Sequence, residues 1–442
     1  MKILFILPYD NTYRYHAAFI PSISYQPLTL STLAALVPSD ITDITLIDEG
    51  VQKFDYSKEN YDIVGISIVT SSSKRGYQLA DSFRKRGSYV IMGGHHASLL
   101  PEEARNHADT VFVGSGEKTV PQFFIDFLNG SPERVYTANA KTDYNVNTHS
   151  TCTEKAPAPR RDLMTMKGYL KQPTIIADYG CGNNCNYCVI HSFWGKKSKR
   201  PIKDVIQEMK QLGAKEYLFL DPSPFSDKAY ARELFYELSK LKIKWAGLST
   251  LDVTDEEELL DLLEKSGCIG TLLGFESFHE EDLKSLSKHK NKVDQYADIV
   301  GKLHEKKIAV LGTFMLGLDH DTVESIRQLP DLIEAVRIDV PRFAIITPYP
   351  QTPLFKELDA QKRIFNKDWS YYDSVHAVFE PKNISPGDLE TEFIRLWKES
   401  YHIKRIIHRI RYTPQRKLTT FITNMGFQVY ANRIEKMMNT GE

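Results

Sequence analysis

The shortages in this 442-residue sequence are its first guide. Five cysteines are too few to staple a chain of this length, which points to a reducing compartment, the cytoplasm. No apolar run reaches the length of a membrane span. The start, MKILFILPYD, carries one lysine and a short apolar run cut by Pro8, without the longer apolar stretch and small-residue cleavage site of a signal peptide. Neither sign of charge is in excess: 56 Lys and Arg stand against 57 Asp and Glu, so no global field draws nucleic acid or an anionic surface. Internal repeats and low-complexity tracts are also lacking.

What is present suits a soluble globular protein of about three domains. Hydrophobic residues make up 42%. Aliphatic runs at 2–7, 43–48, 63–69, 89–94 and 110–116, bounded by Gly, Pro and Asp and separated by helix-length segments, predict a doubly wound, Rossmann-like α/β sheet over 1–135. Ligands of such sheets sit outside the carboxyl ends of the strands. Residues 136–168 lose the apolar period and gain Asn, Thr, Ser and Pro, which marks a linker. A second alternation over 169–362 places strands at 173–180, 216–221, 244–249, 269–277, 309–317 and 340–348. Six βα units predict a partial (β/α)6 TIM-like barrel, with chemistry at the C-terminal strand ends. Residues 363–442 form a small, mostly helical region.

Three of the five cysteines crowd into GCGNNCNYCVI, just after the first barrel strand. Cys181, Cys185 and Cys188 have the spacing C-x3-C-x2-C, close enough for three thiolates to meet one inorganic centre. Zinc with His191 as the fourth ligand is one reading, although zinc ligands usually come as pairs across a turn. A cluster with four cysteines needs Cys152, in the linker, or Cys268, at the wrong end of its strand. The third reading is a [4Fe–4S] cluster with three protein ligands and one open iron.

On these residues the chain resembles the radical S-adenosylmethionine enzymes. The resemblance implies that the open iron chelates S-adenosylmethionine and that the reduced cluster splits it into methionine and a 5′-deoxyadenosyl radical. It further implies cofactor contacts at later strand ends: Asp221 near the methionyl amine, Ser249 at the end of the third strand, Glu276 and Ser277 toward the ribose or methionine part, Thr313 and Met315 along the adenine, and Tyr187 bordering it. A barrel-end turn or a core side chain is the plain alternative for each.

The N-terminal sheet resembles the cobalamin-binding domain of the cobalamin-dependent branch of that family. The matching runs are GGHHASLLPEEA (93–104) and VFVGSGEKT (111–119), with Gly93, Gly94, His95, Gly114, Gly116 and Glu117 at strand ends where backbone can approach a nucleotide tail. Tyr9, Ser67, Thr70 and Ser71 are further corrin contacts in the loops 9–16 and 67–75. The D-x-H-x-x-G signature that supplies a lower cobalt ligand is absent, so a loop beneath the corrin sets the cobalt potential, while His95 and His96 read as ordinary loop histidines. A degenerate domain without corrinoid is the plain alternative.

The resemblance implies methylation of an unactivated carbon of a small molecule, fed by a flavodoxin or ferredoxin. Radical cyclisation or ring rearrangement with the same cofactors is the runner-up, and a binding sensor without turnover is a reading of another class. Tyr349, Trp369, Tyr371, Tyr372 and His376 are candidate substrate-lining residues. In HIKRIIHRIRY, Ile403, Ile406, Ile407 and Ile410 repeat at helical spacing, flanked by Lys404, Arg405, His408, Arg409 and Arg411. That stripe reads either as a helix packed on the barrel or as a peripheral membrane or lipid contact.

Overall fold

Aliphatic runs bounded by turn residues become strands much as their pattern predicts. The computed structural model describes residues 1–9, 25–138, 157–194, 198–223 and 226–440. In the first sheet these are β1 (Lys2–Leu7), β2 (Asp43–Asp48), β3 (Ile63–Ser67), β4 (Tyr89–Gly93), β5 (Thr110–Val113) and β6 (Val135–Thr137), all parallel, in the order β2-β1-β3-β4-β5-β6. Apolar clusters cover both faces, one built on Phe5, Phe112 and Phe123, the other on Ile6, Val64 and Phe83. The order reverses between β1 and β3, so the ligand crevice of a doubly wound sheet falls at their carboxyl ends. The strand β6 straddles the start of the expected linker. Its three residues pair with β5 at the sheet edge and carry no run long enough to announce themselves.

The second sheet contains β7 (Thr174–Ile175), β10 (Glu216–Phe219), β11 (Lys244–Ser249), β12 (Cys268–Glu276), β13 (Ala309–Leu316) and β14 (Val340–Ile345), parallel and in that spatial order. The single strand expected over 173–180 is divided. After β7 the chain leaves the sheet, and β8 (Asp178–Tyr179) pairs antiparallel with β9 (Ser198–Lys199). One face of the sheet is closed by helices: Val310, Phe314 and Leu316 of β13 belong to the large core. The alternate residues Leu311, Thr313 and Met315 stay half-buried on the inner face of the open barrel.

The C-terminal helices occupy 386–400, 403–412 and 417–440. The last of them runs the height of the barrel beside β14. At its start Arg416 pairs with Glu216 at 2.7 Å, beneath the barrel, and near its end the Met438 carbonyl accepts from His376 Nε2 at 3.1 Å. The expected isoleucine stripe is split. Ile406 is in the core, whereas Ile403 and Ile407 are exposed. Arg409 turns inward, where its guanidinium donates to Asn424 Oδ1 at 2.6 Å and to the Ser400 carbonyl at 2.9 Å. Arg405 pairs with Asp331, Glu334 and Glu399, which consumes much of the basic face. No helix among the described residues is long and apolar enough to cross a membrane.

The carboxyl ends of the two sheets meet. The Thr174 hydroxyl donates to the Gln26 carbonyl at 2.9 Å, Tyr169 donates to Asp48 at 2.5 Å, and the His95 ring stands edge-on to Phe193 at 4.3 Å.

Candidate active site

The division between β7 and β8 is made by a carboxylate. Asp221, fully buried just past β10, accepts from the backbone N–H groups of Ala177 at 2.9 Å and Asp178 at 2.5 Å, taking the place of ladder partners. This steers the chain through β8 into Gly180, whose φ of 79° requires the left-handed region, and on to Cys181. Burial, joined by the neighbouring Asp178, holds the Asp221 carboxyl well above the usual range. Its Oδ2 has no hydrogen-bond partner among the described residues.

The cysteine loop folds on itself and on the barrel. The Asn183 amide donates to Cys181 Sγ at 3.4 Å, the Cys188 amide to the Cys185 carbonyl at 3.2 Å, and Asn186 Nδ2 to the Ser285 carbonyl at 2.9 Å. Burial raises the Cys185 thiol, with Glu276 and Cys181 adding to the rise, and pushes Cys188 up to about 11, with Cys185 and Cys181 adding. The three sulfurs therefore lie within electrostatic reach of one another. Metal coordination displaces such protons outright.

A half-buried cation faces them. Lys288 Nζ pairs with Glu276 Oε1 at 2.9 Å, and the Tyr187 hydroxyl donates to the same oxygen at 3.1 Å. Burial penalises the Lys288 ammonium, but Glu276 and then Cys185 more than offset it, so its pKa is raised. Glu276 sits at φ 69°, where β12 bulges against β13, and this turns its carboxylate back toward the loop. Lys288 carries no signal in the sequence: KHKNK looks like a solvated turn.

The other barrel candidates are occupied by their own chain. The Ser277 hydroxyl accepts from the His279 amide at 3.0 Å, Ser249 donates to the Thr250 carbonyl at 3.2 Å, and Thr313 to the Leu273 carbonyl at 3.3 Å. Met315 and Tyr187 pack against a second apolar cluster at the barrel mouth, together with Tyr349, Phe355 and Trp369. Of the expected lining residues, Tyr372 is instead fully buried in that cluster and Tyr371 is exposed. His376 is held between Asp373 and the Met438 carbonyl. Cys268 is core, its thiol pushed up to about 12 by burial, while Cys152 and the His191 side chain lie outside the described residues.

At the first sheet, the described part of the crevice is held by Glu49, a residue sequence reading passed over. It accepts from the Tyr9 amide at 3.0 Å and pairs with Arg75 at 2.6 Å, so it ties the loop after β1 to the helix after β3. Residues 10–16 lie outside the described set. Thr70 is buried with its hydroxyl 3.3 Å from His96 Nδ1; Ser67 is half-buried at the end of β3, and Ser71 follows in the same loop. His95 is held neutral by burial, its pKa pushed down to about 4. Gly93 ends β4. Gly94, at φ 98°, is needed for the protein's own packing, since a Cβ there would stand 2.5 Å from the Ile68 carbonyl. Gly114, at φ 84°, makes the turn into the helix that Gly116 opens, and the Glu117 carboxylate, bonded to Ser115, already lies in the first turn of that helix.

Two family models match the chain: the radical SAM superfamily over residues 175–333 and the B12 binding domain over residues 25–124. Bacteriochlorophyllide d C-12(1)-methyltransferase of Chlorobaculum tepidum is 32% identical, over 88% of this chain and 85% of its own. The chain is a cobalamin-dependent radical S-adenosylmethionine enzyme. Its relatives place it in the C-methyltransferase branch, and its cofactors are a [4Fe–4S] cluster, S-adenosylmethionine and cobalamin. Bacteriochlorophyllide d C-8(2)-methyltransferase of the same organism is 28% identical over 91% of each chain. The fold of the enzyme matches that of the methyltransferase TsrM from Kitasatospora setae, solved with tryptophan and an S-adenosylmethionine analogue, at a TM-score of 0.66, 15% identity and coverage of 99% and 98%.

The residues fit these groups. No group of three or more His, Cys, Asp or Glu among the described residues is placed to hold one metal ion. A cluster binds each thiolate to a different iron, so its ligands need not converge on a point. Three shielded thiols beside one half-buried ammonium suit it, and the open Asp221 oxygen beside the loop suits an ammonium donor.

Proposed function

We propose that the enzyme methylates an unactivated carbon of a flat, apolar-bodied substrate of tetrapyrrole type, held between the two facing sheet ends. The observation that carries this reading is the barrel-mouth cluster of Tyr187, Tyr349 and Phe355, which offers broad apolar surface beside the cysteine loop, while Trp369 ties that cluster to the first sheet. The two bacteriochlorophyllide-named relatives support the substrate class. Anaerobic magnesium-protoporphyrin IX monomethyl ester cyclase of Cereibacter sphaeroides, 24% identical over 92% of this chain, supports the same class and favours cyclisation as the second reading.

Bound at these residues, the cluster and S-adenosylmethionine supply the hydrogen-abstracting radical and cobalamin supplies the methyl group. Cys181, Cys185 and Cys188 hold the cluster, and Lys288 offsets part of their negative charge. Asp221 accepts from the cofactor's amine, while Glu276, Ser249, Ser277, Thr313 and Met315 line its remaining length. Tyr9, Ser67, Thr70, Ser71 and the segments 93–95 and 114–117 surround the corrin. A flavodoxin or ferredoxin of the cytoplasm delivers the electron.

The test is anaerobic turnover of the reconstituted enzyme with a bacteriochlorophyllide. Methylation yields a methylated pigment with S-adenosylhomocysteine and 5′-deoxyadenosine together. Deoxyadenosine with a ring-closed pigment supports cyclisation instead, and no pigment binding by visible titration overturns the substrate class.

A further inference from the structure

The segment 366–376 touches the first sheet, the barrel and the last helix. Toward the first sheet, Trp369 Nε1 donates to Glu103 Oε2 at 3.1 Å and Lys74 pairs with Asp368 at 2.8 Å. Toward the barrel, the Ser374 carbonyl accepts from the Ile345 amide at 2.8 Å, just at the end of β14, and Tyr349 and Ser374 share a hydroxyl contact of 3.1 Å. Toward the last helix, His376 donates to Met438. The Trp369 ring is the turning point of this strap. It stands 4.8 Å from Tyr372, 6.2 Å from Phe355 and 5.6 Å from the fully buried His96 ring. His96 in turn contacts Thr70 at 3.3 Å and Glu103 at 3.4 Å. One continuous set of contacts, Thr70–His96–Glu103–Trp369, thus runs from the loop at the carboxyl end of β3 to the aromatic cluster at the barrel mouth.

We infer that Trp369 is a positioning residue. Anchored by Glu103, it fixes the distance and angle between the corrin-bearing sheet edge and the radical-forming mouth, and so determines how often a substrate radical ends in methylation. The inference rests on the methyl-transfer reading. A radical formed at one sheet end must meet a group carried by the other, and reactions between held partners lose rate steeply when misplaced by an ångström. Trp369 acts on that geometry through its contacts with Glu103 and His96. Glu103 is suited to the anchor role: although burial raises its pKa, His96 and Trp369 hold it lower than usual, so it stays an ionised acceptor.

The test uses the reconstituted holoenzyme carrying Trp369→Phe, which keeps the ring and removes the N–H donor. Three quantities are read: cobalamin and iron content, amide hydrogen exchange of 366–376 in the apoprotein, and methylated product per 5′-deoxyadenosine formed. The expected result is unchanged cofactor content, faster exchange in the strap, and a product ratio lowered about tenfold or more, the scale of one hydrogen bond to a charged acceptor. Equal loss of deoxyadenosine and product, or faster exchange with an unchanged ratio, overturns the positioning role. Should Trp369→Phe fail to fold, Glu103→Leu, which removes the acceptor, is read in the same way. Should the wild type make no methylated product, the methyl-transfer reading itself falls, while the exchange measurement still decides whether Glu103 anchors the strap.

Discussion

The two parallel sheets solve the same packing problem differently. In the first, β1, β3 and β4 are buried on both faces, as their unbroken aliphatic runs require. In the second, β13 alternates buried and half-buried residues along its whole length, because helices close one face and the other opens into the barrel. The first sheet can therefore present chemistry only at strand ends, and its candidate residues are all found there. The second presents chemistry along a face as well, which is why Thr313, Met315 and Glu276 follow one another up its interior.

The largest test of this separation is Cys185→Ala. Iron and sulfide content should fall to background and deoxyadenosine formation should cease, while the apoprotein still binds hydroxocobalamin at full stoichiometry in a visible titration. Loss of both cofactors together would show that the two sheets do not form independent sites. Next in size is a pair of core truncations followed by urea unfolding. Ile6→Ala, in a strand covered on both faces, should cost about 2–5 kcal/mol. Leu311→Ala, facing the half-open interior, should cost about half of that, since only the buried part of its side chain loses transfer energy. Equal losses would mean that the inner face is as tightly packed as the outer.

The smallest effects are pH slopes of opposite sign. His95, just past the carboxyl end of β4, has its pKa pushed down to about 4 by burial, from an ordinary 6.5. The unfolded chain takes up a proton that the folded protein refuses, so this contribution to stability is lost as pH falls through that window. Asp321, which accepts from the amides of Gly317 and Leu318 after β13, has its pKa raised to about 7 by burial, with Asp282 adding, from 3.8. Here the folded protein keeps a proton that the unfolded chain releases, so stability is lost as pH rises through that window. Thermal melts of His95→Leu and Asp321→Asn against the wild type should each flatten one slope and leave the other.

The strands and the cysteine loop were legible because their signals are local: aliphatic runs set the strands, and three thiols within eight positions set the loop. What the sequence concealed depends on partners distant in the chain. Nothing in PTIIADYG announces a break, because the break is made by Asp221 some forty residues on. Lys288 looked solvated until Glu276 and the cysteine loop closed over it. Tyr372 and Tyr371 are adjacent aromatics of similar appearance, yet one is core and the other surface, a difference set by the turn over 369–371.

The strap over 366–376 also bears on the order of assembly. Its bonds to the first sheet close gaps of 294 and 266 residues, among the widest in the fold, whereas β1 and β2 are joined by a few dozen. Closing such loops costs chain entropy before any contact repays it, so these bonds are expected to form after both sheets have folded. Until then the two crevices remain open to solvent, which gives molecules as bulky as a corrin or a tetrapyrrole an entry route that the finished interface narrows.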